Sequence, residues 1–284
     1  MPSVAKSLPE PDPRAPKPFL KWVGGKRQLL EQFAPLLPKT FGASHEPVVG
    51  GAARFFDLRL QRPDLRATLS DVNTELVDCY RAVRDDVDGL LAALKAHRHE
   101  EDHYYTVRGW NPAELTPLER AARTIFLNKT GFNGLYRVNK SGQFNVPFGR
   151  YDKPNFLDER NLRACAGALA STKIVYGDFS NVLEYAEKGD FVYFDPPYVP
   201  VSATADFTAY IPGGFGEREQ TALAEAFTKL AKRKVNVMLS NSDTPWVRER
   251  YKGFEIHTVS ASRSVNSKGS GRGKTNEILV RCVP

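Results

Sequence analysis

Asp195-Pro196-Pro197-Tyr198 follows directly on a short apolar run, Phe191-Val192-Tyr193-Phe194. A buried strand that ends in a carboxylate, two prolines and an aromatic ring sets a hydrogen-bond acceptor beside a flat stacking surface. Proline loses its N–H but keeps its C=O, so a proline carbonyl adds a second acceptor next to Asp195. The arrangement suits a planar amine, with its two N–H groups held at the edge and its ring held by the face of Tyr198. An Asp-Pro turn after a strand would give the same four residues without chemistry, so the rest of the chain has to decide.

Two further segments carry residues of the same kind. Glu46-Pro47-Val48-Val49-Gly50-Gly51-Ala52-Ala53 puts adjacent glycines where a first strand should turn, letting the backbone approach a ligand closely. Asp71 lies about twenty residues beyond Gly51, a spacing that suits an acceptor for ribose hydroxyls. The pair is not a dinucleotide fingerprint, because G-x-G-x-x-G is absent. Lys21-Trp22-Val23-Gly24-Gly25-Lys26 is a compact loop with two ammoniums and an indole, able to meet the carboxylate of a zwitterionic ligand. It lacks P-loop spacing, and a surface turn before a helix would read alike.

The elements that must position these groups can be followed along the chain. The 284 residues, 41% hydrophobic, suffice for one large α/β domain or a core with a smaller insert. Residues 1–18 are proline-rich and read as a flexible lead-in. An amphipathic helix is expected over Lys26–Leu37, a strand approaching Glu46, and a helix opened by Phe55–Leu60. A second strand, Ala67–Ser70, should end at Asp71 and lead into a helix through Glu75–Val83. This order is the first half of a doubly wound nucleotide-binding sheet. Residues 86–128 read as mainly helical, with Leu90, Leu91 and Leu94 on one face and Ala121, Ala122 and Ile125 on another. Strands are expected at Lys173–Tyr176, Phe191–Phe194 and Val235–Ser240. The interval Asn128–Pro154 follows neither period and is rich in Gly and Asn, so it reads as a functional insert.

Charge and rare residues narrow the function classes. Lys and Arg number 40 against 33 Asp and Glu, a formal +7 that favours a polyanionic partner. Cys79, Cys165 and Cys282 lie far apart, giving no zinc knuckle, redox pair or disulfide framework. Met1–Lys17 has no apolar h-region and no run is long enough for a membrane span, so secretion and a membrane partner are not expected. His97, His99 and His103 do not form H-E-x-x-H with their acidic neighbours and are expected at the surface, with no metal site. Ser240-Asn241-Ser242-Asp243 reads either as a target-pocket wall or as a structural turn.

Joined together, these segments resemble the DNA adenine-N6 methyltransferases of the Dam type, over Phe19–Val280. Four blocks carry the likeness: Lys21–Lys26, Glu46–Phe56, Asp195–Tyr198, and Thr130-Gly131-Phe132-Asn133-Gly134-Leu135-Tyr136-Arg137 with Gly142-Gln143-Phe144-Asn145-Val146-Pro147-Phe148-Gly149-Arg150-Tyr151. The resemblance implies a doubly wound, mostly parallel, Rossmann-like methyltransferase sheet with a smaller, largely helical DNA-recognition insert. It divides the chain into a catalytic, S-adenosylmethionine-binding domain over 19–85 and 170–284 and a recognition insert over 86–169. It implies methyl transfer from S-adenosyl-L-methionine to N6 of a flipped adenine in double-stranded DNA, at GATC sites, in the cytoplasm on the nucleoid, with pairing to a restriction endonuclease open.

Carried onto positions, Asp195, Pro196, Pro197 and Tyr198 would surround the target adenine. Lys21, Trp22, Lys26, Glu46, Pro47, Gly50 and Gly51 would line the cofactor site, with Lys26 or Lys21 near the methionine carboxylate and Asp71 on the ribose. Asp178 would accept from the cofactor's adenine amino group and Phe179 would stack on it. Arg137 would read a guanine edge; Leu135, Pro147 and Tyr151 would contact the rest of the site, and Asn133 would lie by the opened base pair. Lys129, Lys140 and Arg150 from the insert, and Arg263, Lys268, Arg272 and Lys274 from a mobile acid-free stretch, Ala261–Thr275, would meet DNA. Three positions depart from the family pattern: Val48 for phenylalanine, Ala52 for a third glycine, where an ordinary backbone angle would tolerate it, and Arg54 for an apolar residue, either exposed or on the cofactor carboxylate. An RNA or protein amine methyltransferase and a catalytically inactive DNA-binding regulator are the rival readings.

Overall fold

In the computed structural model, residues 15–200, 214–262 and 274–284 are described. In chain order the elements are α1 (Leu30–Phe33), β1 (Ser44–Glu46), α2 (Ala53–Gln61), β2 (Ala67–Asp71), α3 (Thr74–Asp85), α4 (Val87–Lys95), α5 (Glu101–Gly109) and α6 (Pro117–Thr130). After an irregular stretch come α7 (Glu159–Leu169), β3 (Thr172–Tyr176), α8 (Val182–Tyr185), β4 (Phe191–Phe194), α9 (Glu217–Lys232), β5 (Asn236–Ser242), α10 (Pro245–Arg250), β6 (Glu255–Ser262) and β7 (Lys274–Cys282). The single amphipathic helix expected over Lys26–Leu37 is instead one α-turn between two 3₁₀ turns, Lys26–Leu29 and Ala34–Leu36. Pro35 is the physical reason for the break after Phe33, because it has no N–H for the carbonyl one turn earlier.

The strands form one seven-stranded sheet in the order β3-β2-β1-β4-β5-β7-β6. All neighbours among the first five are parallel, and β7 runs antiparallel to both β5 and β6. Every residue of β4 and β5 is buried, which explains the near-continuous apolar run before Asp195. Alternation along β4 sends Val192 and Phe194 against Leu223 and Phe227 of α9, and Phe191 and Tyr193 against Phe33 and Met238.

The helices of the 86–169 region share a core with the sheet: Leu90, Leu91, Leu94, Ala121, Ala122 and Ile125 cluster with Leu69, Leu76, Val77 and Ile174. Thr116 and Glu119 form a capping box that starts α6, with Pro117 at its first turn. A buried ion pair then ties α6 to α3, with Arg123 Nη1 and the Thr124 hydroxyl donating to Glu75 Oε2 at 3.0 and 2.8 Å. The following stretch, 131–158, is held by two isolated bridges, Gly131 to Phe148 and Val138 to Phe144.

Three local expectations change. The histidines are not surface groups: His97 is buried and stacked on Phe126 at 4.6 Å, with its Nδ1 3.1 Å from His103 Nε2, and His99 stacks on Phe148. The rings of His97 and His103 serve as packing surface against Phe126 of α6, and that of His99 against Phe148 of the irregular stretch. Ala261 and Ser262 end β6 and pair with Thr275 and Lys274 of β7, so both ends of the stretch expected to be mobile are strand. Arg263, Lys268 and Arg272 lie outside the described residues. Ala52 has φ 53° and ψ 32°, a left-handed conformation and not an ordinary one. A side chain there costs on the order of 1–2 kcal/mol relative to the right-handed region, which is the physical sense of a glycine at that place.

Candidate active site

The C-terminal ends of β1, β2 and β4 meet at the point where strand order reverses, between β1 and β4, which is where open α/β sheets bind ligands. Asp195 is the first residue after β4, and Lys26 arrives from the first 3₁₀ turn. Lys26 Nζ lies 2.9 Å from Asp195 Oδ1 and 4.6 Å from the centre of the Tyr198 ring, and it also donates to the Gly24 carbonyl. Burial pushes the Asp195 carboxyl up to about 6, and the lysine beside it works against that rise.

The tetrapeptide is held from behind by three other elements. Gln220 of α9 donates to the Pro197 carbonyl at 2.7 Å, and Asn241 of β5 donates to Gln220 Oε1 at 3.0 Å. Asn241 Oδ1 accepts from Val199 N at 3.0 Å, while the Ser242 hydroxyl donates to the Val199 carbonyl at 2.7 Å. The Tyr198 hydroxyl donates to Glu277 of β7 at 2.8 Å. Residues 240–242 are not the structural turn of one of the two expectations but the end of β5, where Asn241 and Ser242 grip the chain after Tyr198, whereas Asp243 pairs with Arg248 at 2.6 Å. With Pro197 O occupied, the Pro196 carbonyl has no protein donor among the described residues.

Beside this carboxylate lies the glycine turn. Gly50 has φ +47°, and a Cβ there would come within 3.0 Å of the Trp22 ring; one on Gly51 would lie 3.3 Å from Trp22 Cβ. A cavity of about 240 Å³ opens at this place, lined by Pro18, Leu20, Trp22, Gly25, Gly51 and Ala53. Asp71 ends β2, accepts from Asn73 N at 3.0 Å and Gly50 N at 3.4 Å, and is pushed up to about 6 by burial. Its own carbonyl accepts from Gly177 N at 3.0 Å, which brings Asp178 and the buried Phe179 alongside. Asp178 caps the next turn through Ser180 N.

Glu46 and Pro47 lie under the turn. Glu46 is buried and its carboxyl is pushed up to about 8 by desolvation, partly offset by Arg54. Arg54 is itself buried and donates to Asp57 at 2.8 Å, which removes the exposed alternative. Its Nε and Nη2, like Glu46 Oε1, have no protein partner among the described residues.

The two loop lysines diverge. Lys21 Nζ lies 4.6 Å over the Tyr151 ring, on the insert and away from Asp195. The buried amide of Asn128 clamps Lys21, accepting from its N–H and donating to its carbonyl, both at 2.8 Å, and also donates to Gly134 O at 3.1 Å. Lys129 follows on α6, and its ammonium is held below the usual lysine range by burial and then by Lys21. Arg137 donates through Nε to Asn145 Oδ1 at 2.7 Å and through Nη2 to the Asn145 carbonyl at 3.1 Å, which leaves the far edge of its fork unused. Asn133 is exposed with φ 56°; Lys140, Pro147 and Arg150 are exposed, while Leu135 and Tyr151 are half-buried. Phe132, 52% exposed beside Asn133, is an apolar ring presented to solvent. Sequence reasoning passed over Phe132, Asn128, Asn145, Gln220 and Glu277. Only Phe132 and Asn145 carried a signal, as members of the recognition blocks.

Residues 22–265 match the family described as D12 class N6 adenine-specific DNA methyltransferase. The chain is 42% identical over 272 residues to the Type II methyltransferase M1.LlaDCHI of Lactococcus lactis subsp. cremoris, covering 93% of this chain and 94% of that one. It is 43% identical over 274 residues to the Type II methyltransferase M.MjaIII of Methanocaldococcus jannaschii, covering 90% and 95%. A DNA adenine methylase of Escherichia coli is 36% identical over 270 residues, covering 94% and 95%.

Proposed function

Since the chain belongs to the D12 class of N6 adenine-specific DNA methyltransferases, we propose that its target is the adenine of GATC in duplex DNA, flipped out of the helix into the site formed by Asp195, Pro196, Pro197 and Tyr198. The enzyme transfers a methyl group to adenine N6, and S-adenosylmethionine is the donor. The residues present fit that donor: a glycine turn that a Cβ would close against Trp22, a cavity above it, and a buried acid at the end of β2. When bound it supplies an electrophilic methyl on a sulfonium.

The observation that carries the catalytic reading is the pair of acceptors at the mouth of β4. Adenine N6 shares its lone pair with the ring and is a poor nucleophile until its hydrogens are held in a geometry that favours a tetrahedral nitrogen. Asp195 and the Pro196 carbonyl supply two acceptors, and both bonds strengthen as positive charge develops on N6. Gln220 takes the competing Pro197 carbonyl, which leaves Pro196 to face the substrate. After transfer the N6 proton leaves to Asp195 or water. Tyr198 stacks on the extruded base and offsets part of the unstacking cost, about 1–3 kcal/mol.

Trp22, Lys26, Glu46, Pro47, Gly50, Gly51 and Asp71 form the donor site in this reading, with Asp178 and Phe179 at its adenine end. In the insert, the free edge of Arg137 suits guanine O6 and N7, and Phe132 is placed to fill the gap left by the flipped base, next to Asn133. Leu135, Pro147 and Tyr151 touch neighbouring base pairs. Lys21, Lys129, Lys140 and Arg150, with Arg263, Lys268, Arg272 and Lys274 from the other segment, meet DNA along the backbone or the groove. The names of two relatives support pairing with a restriction endonuclease.

The test is Asp195→Ala. Its single-turnover rate should fall at least about 100-fold with cofactor affinity much less affected, because an acceptor strengthened in the transition state is gone. Asp195→Asn keeps size and one acceptor oxygen and isolates the charge. A rate within threefold of the parent for Asp195→Ala refutes the assignment.

A further inference from the structure

Tyr198 is fixed at both ends. Its backbone follows two prolines whose chain is gripped by Gln220, Asn241 and Ser242, and its hydroxyl donates to Glu277 Oε2 at 2.8 Å. Glu277 stands opposite Ser242 in the antiparallel β5–β7 register, so the two ends of the tyrosine are anchored on neighbouring strands. Lys26 Nζ lies 4.6 Å over the ring and completes the enclosure.

A phenol hydrogen bond to a carboxylate is charge-assisted and directional; anchoring both ends fixes the ring's long axis, and because the phenolic O–H prefers the ring plane the bond to Glu277 also favours one tilt about that axis. Burial keeps the phenol far above its ordinary range, so it remains the donor. Among the described residues Glu277 has no Lys or Arg partner, and Tyr198 is the group that its carboxylate serves. The same charge lies close enough to Asp195 to oppose its ionisation, a cost that a purely structural acceptor at this place would not need.

We propose that Glu277 is a positioning residue for methyl transfer: through the Tyr198 hydroxyl it sets the plane on which the target adenine stacks, and so the direction from which N6 meets Asp195 and the Pro196 carbonyl. The inference rests on the reading of Tyr198 as the stacking platform. Its effect falls on the rate with base and cofactor already bound, because a misdirected N6 still occupies the site.

A double-mutant cycle tests it. Single-turnover methylation is measured at saturating S-adenosylmethionine and duplex DNA for the parent, Glu277→Ala, Tyr198→Phe and the combination, with DNA KM and cofactor Kd alongside. Each single variant should lose about tenfold or more in rate, with KM and Kd within about threefold of the parent. The combination should be no slower than the slower single variant by more than about twofold, because both remove one contact. Glu277→Gln, which keeps a carbonyl acceptor for the phenol, should recover to within about threefold of the parent. Losses that multiply in the combination, a Glu277→Gln variant as slow as Glu277→Ala, or parental rates in Glu277→Ala each overturn the proposal. Tyr198→Ala separates it from its premise: a parental rate there removes the stacking platform itself, whereas a large loss there beside an unaffected Glu277→Ala removes only the role of Glu277.

Discussion

Replacing Lys26 with methionine keeps the length of a buried side chain and removes the charge 2.9 Å from Asp195. In the parent, burial pushes Asp195 up to about 6 while the ammonium holds it down. A neighbouring opposite charge lowers a carboxylate, so without the ammonium Asp195 should titrate higher than in the parent. With a value near 6 the carboxylate is mostly ionised at pH 7; raised further it would be mostly protonated there, a loss of activity that reverses as pH rises. Methylation kcat/KM for duplex DNA, measured from pH 5 to 9.5 at saturating S-adenosylmethionine, reports this titration in the enzyme before DNA binds. The parent should lose activity as pH falls through about 6; Lys26→Met should lose it at higher pH and approach the parent near pH 9.5. Lys26→Arg, retaining the charge, should keep the acid limb near its parental place. An unmoved limb in Lys26→Met, with the rate reduced equally at every pH, would refute the electrostatic role and leave Lys26 a cofactor ligand alone.

Asp71→Ala should weaken S-adenosylmethionine binding by about 1–3 kcal/mol with the fold preserved, and unchanged affinity by calorimetry would move the ribose site elsewhere. Arg137→Ala should lose about 1–3 kcal/mol of discrimination at one guanine of GATC, read as methylation rates on duplexes substituted at each position. Equal scaling of all those rates would make Arg137 a phosphate contact. Glu46→Gln tests the buried acid: the folded carboxyl is raised to about 8, so the stability it contributes is complete at low pH and is lost as pH rises to that value. The neutral variant should therefore gain on the parent between pH 5 and pH 8 in urea unfolding, by a few kcal/mol in order of magnitude, and parallel curves would contradict it.

The candidate tetrapeptide Asp195–Tyr198 stood out because its residues are consecutive and follow an all-buried strand. Gly50, Gly51 and Asp71 were legible for a similar reason, since the turn after a first strand and the end of the second are neighbours in any parallel sheet. Glu277, Gln220 and Asn241 were not, because they reach Pro197–Val199 from β7, α9 and β5, and register across a sheet is not written in any local pattern. Lys21 and Lys26 looked interchangeable in sequence; the left-handed Gly24 and the Asn128 clamp send one to the insert and the other to Asp195. The histidines misled for want of partners: polarity suggested surface, and Phe126 and Phe148 supplied ring faces instead. Ala52 could be recognised as a departure, but its positive φ could not.

Sequencing-based mapping of N6-methyladenine, on unmethylated DNA incubated with the protein and S-adenosylmethionine, addresses the central claim most directly. Modification is expected at the adenine of GATC on both strands and abolished with Asp195→Ala. N6-methyladenine confined to another duplex sequence would contradict the recognition reading, and its absence from parent-treated DNA would contradict the chemistry.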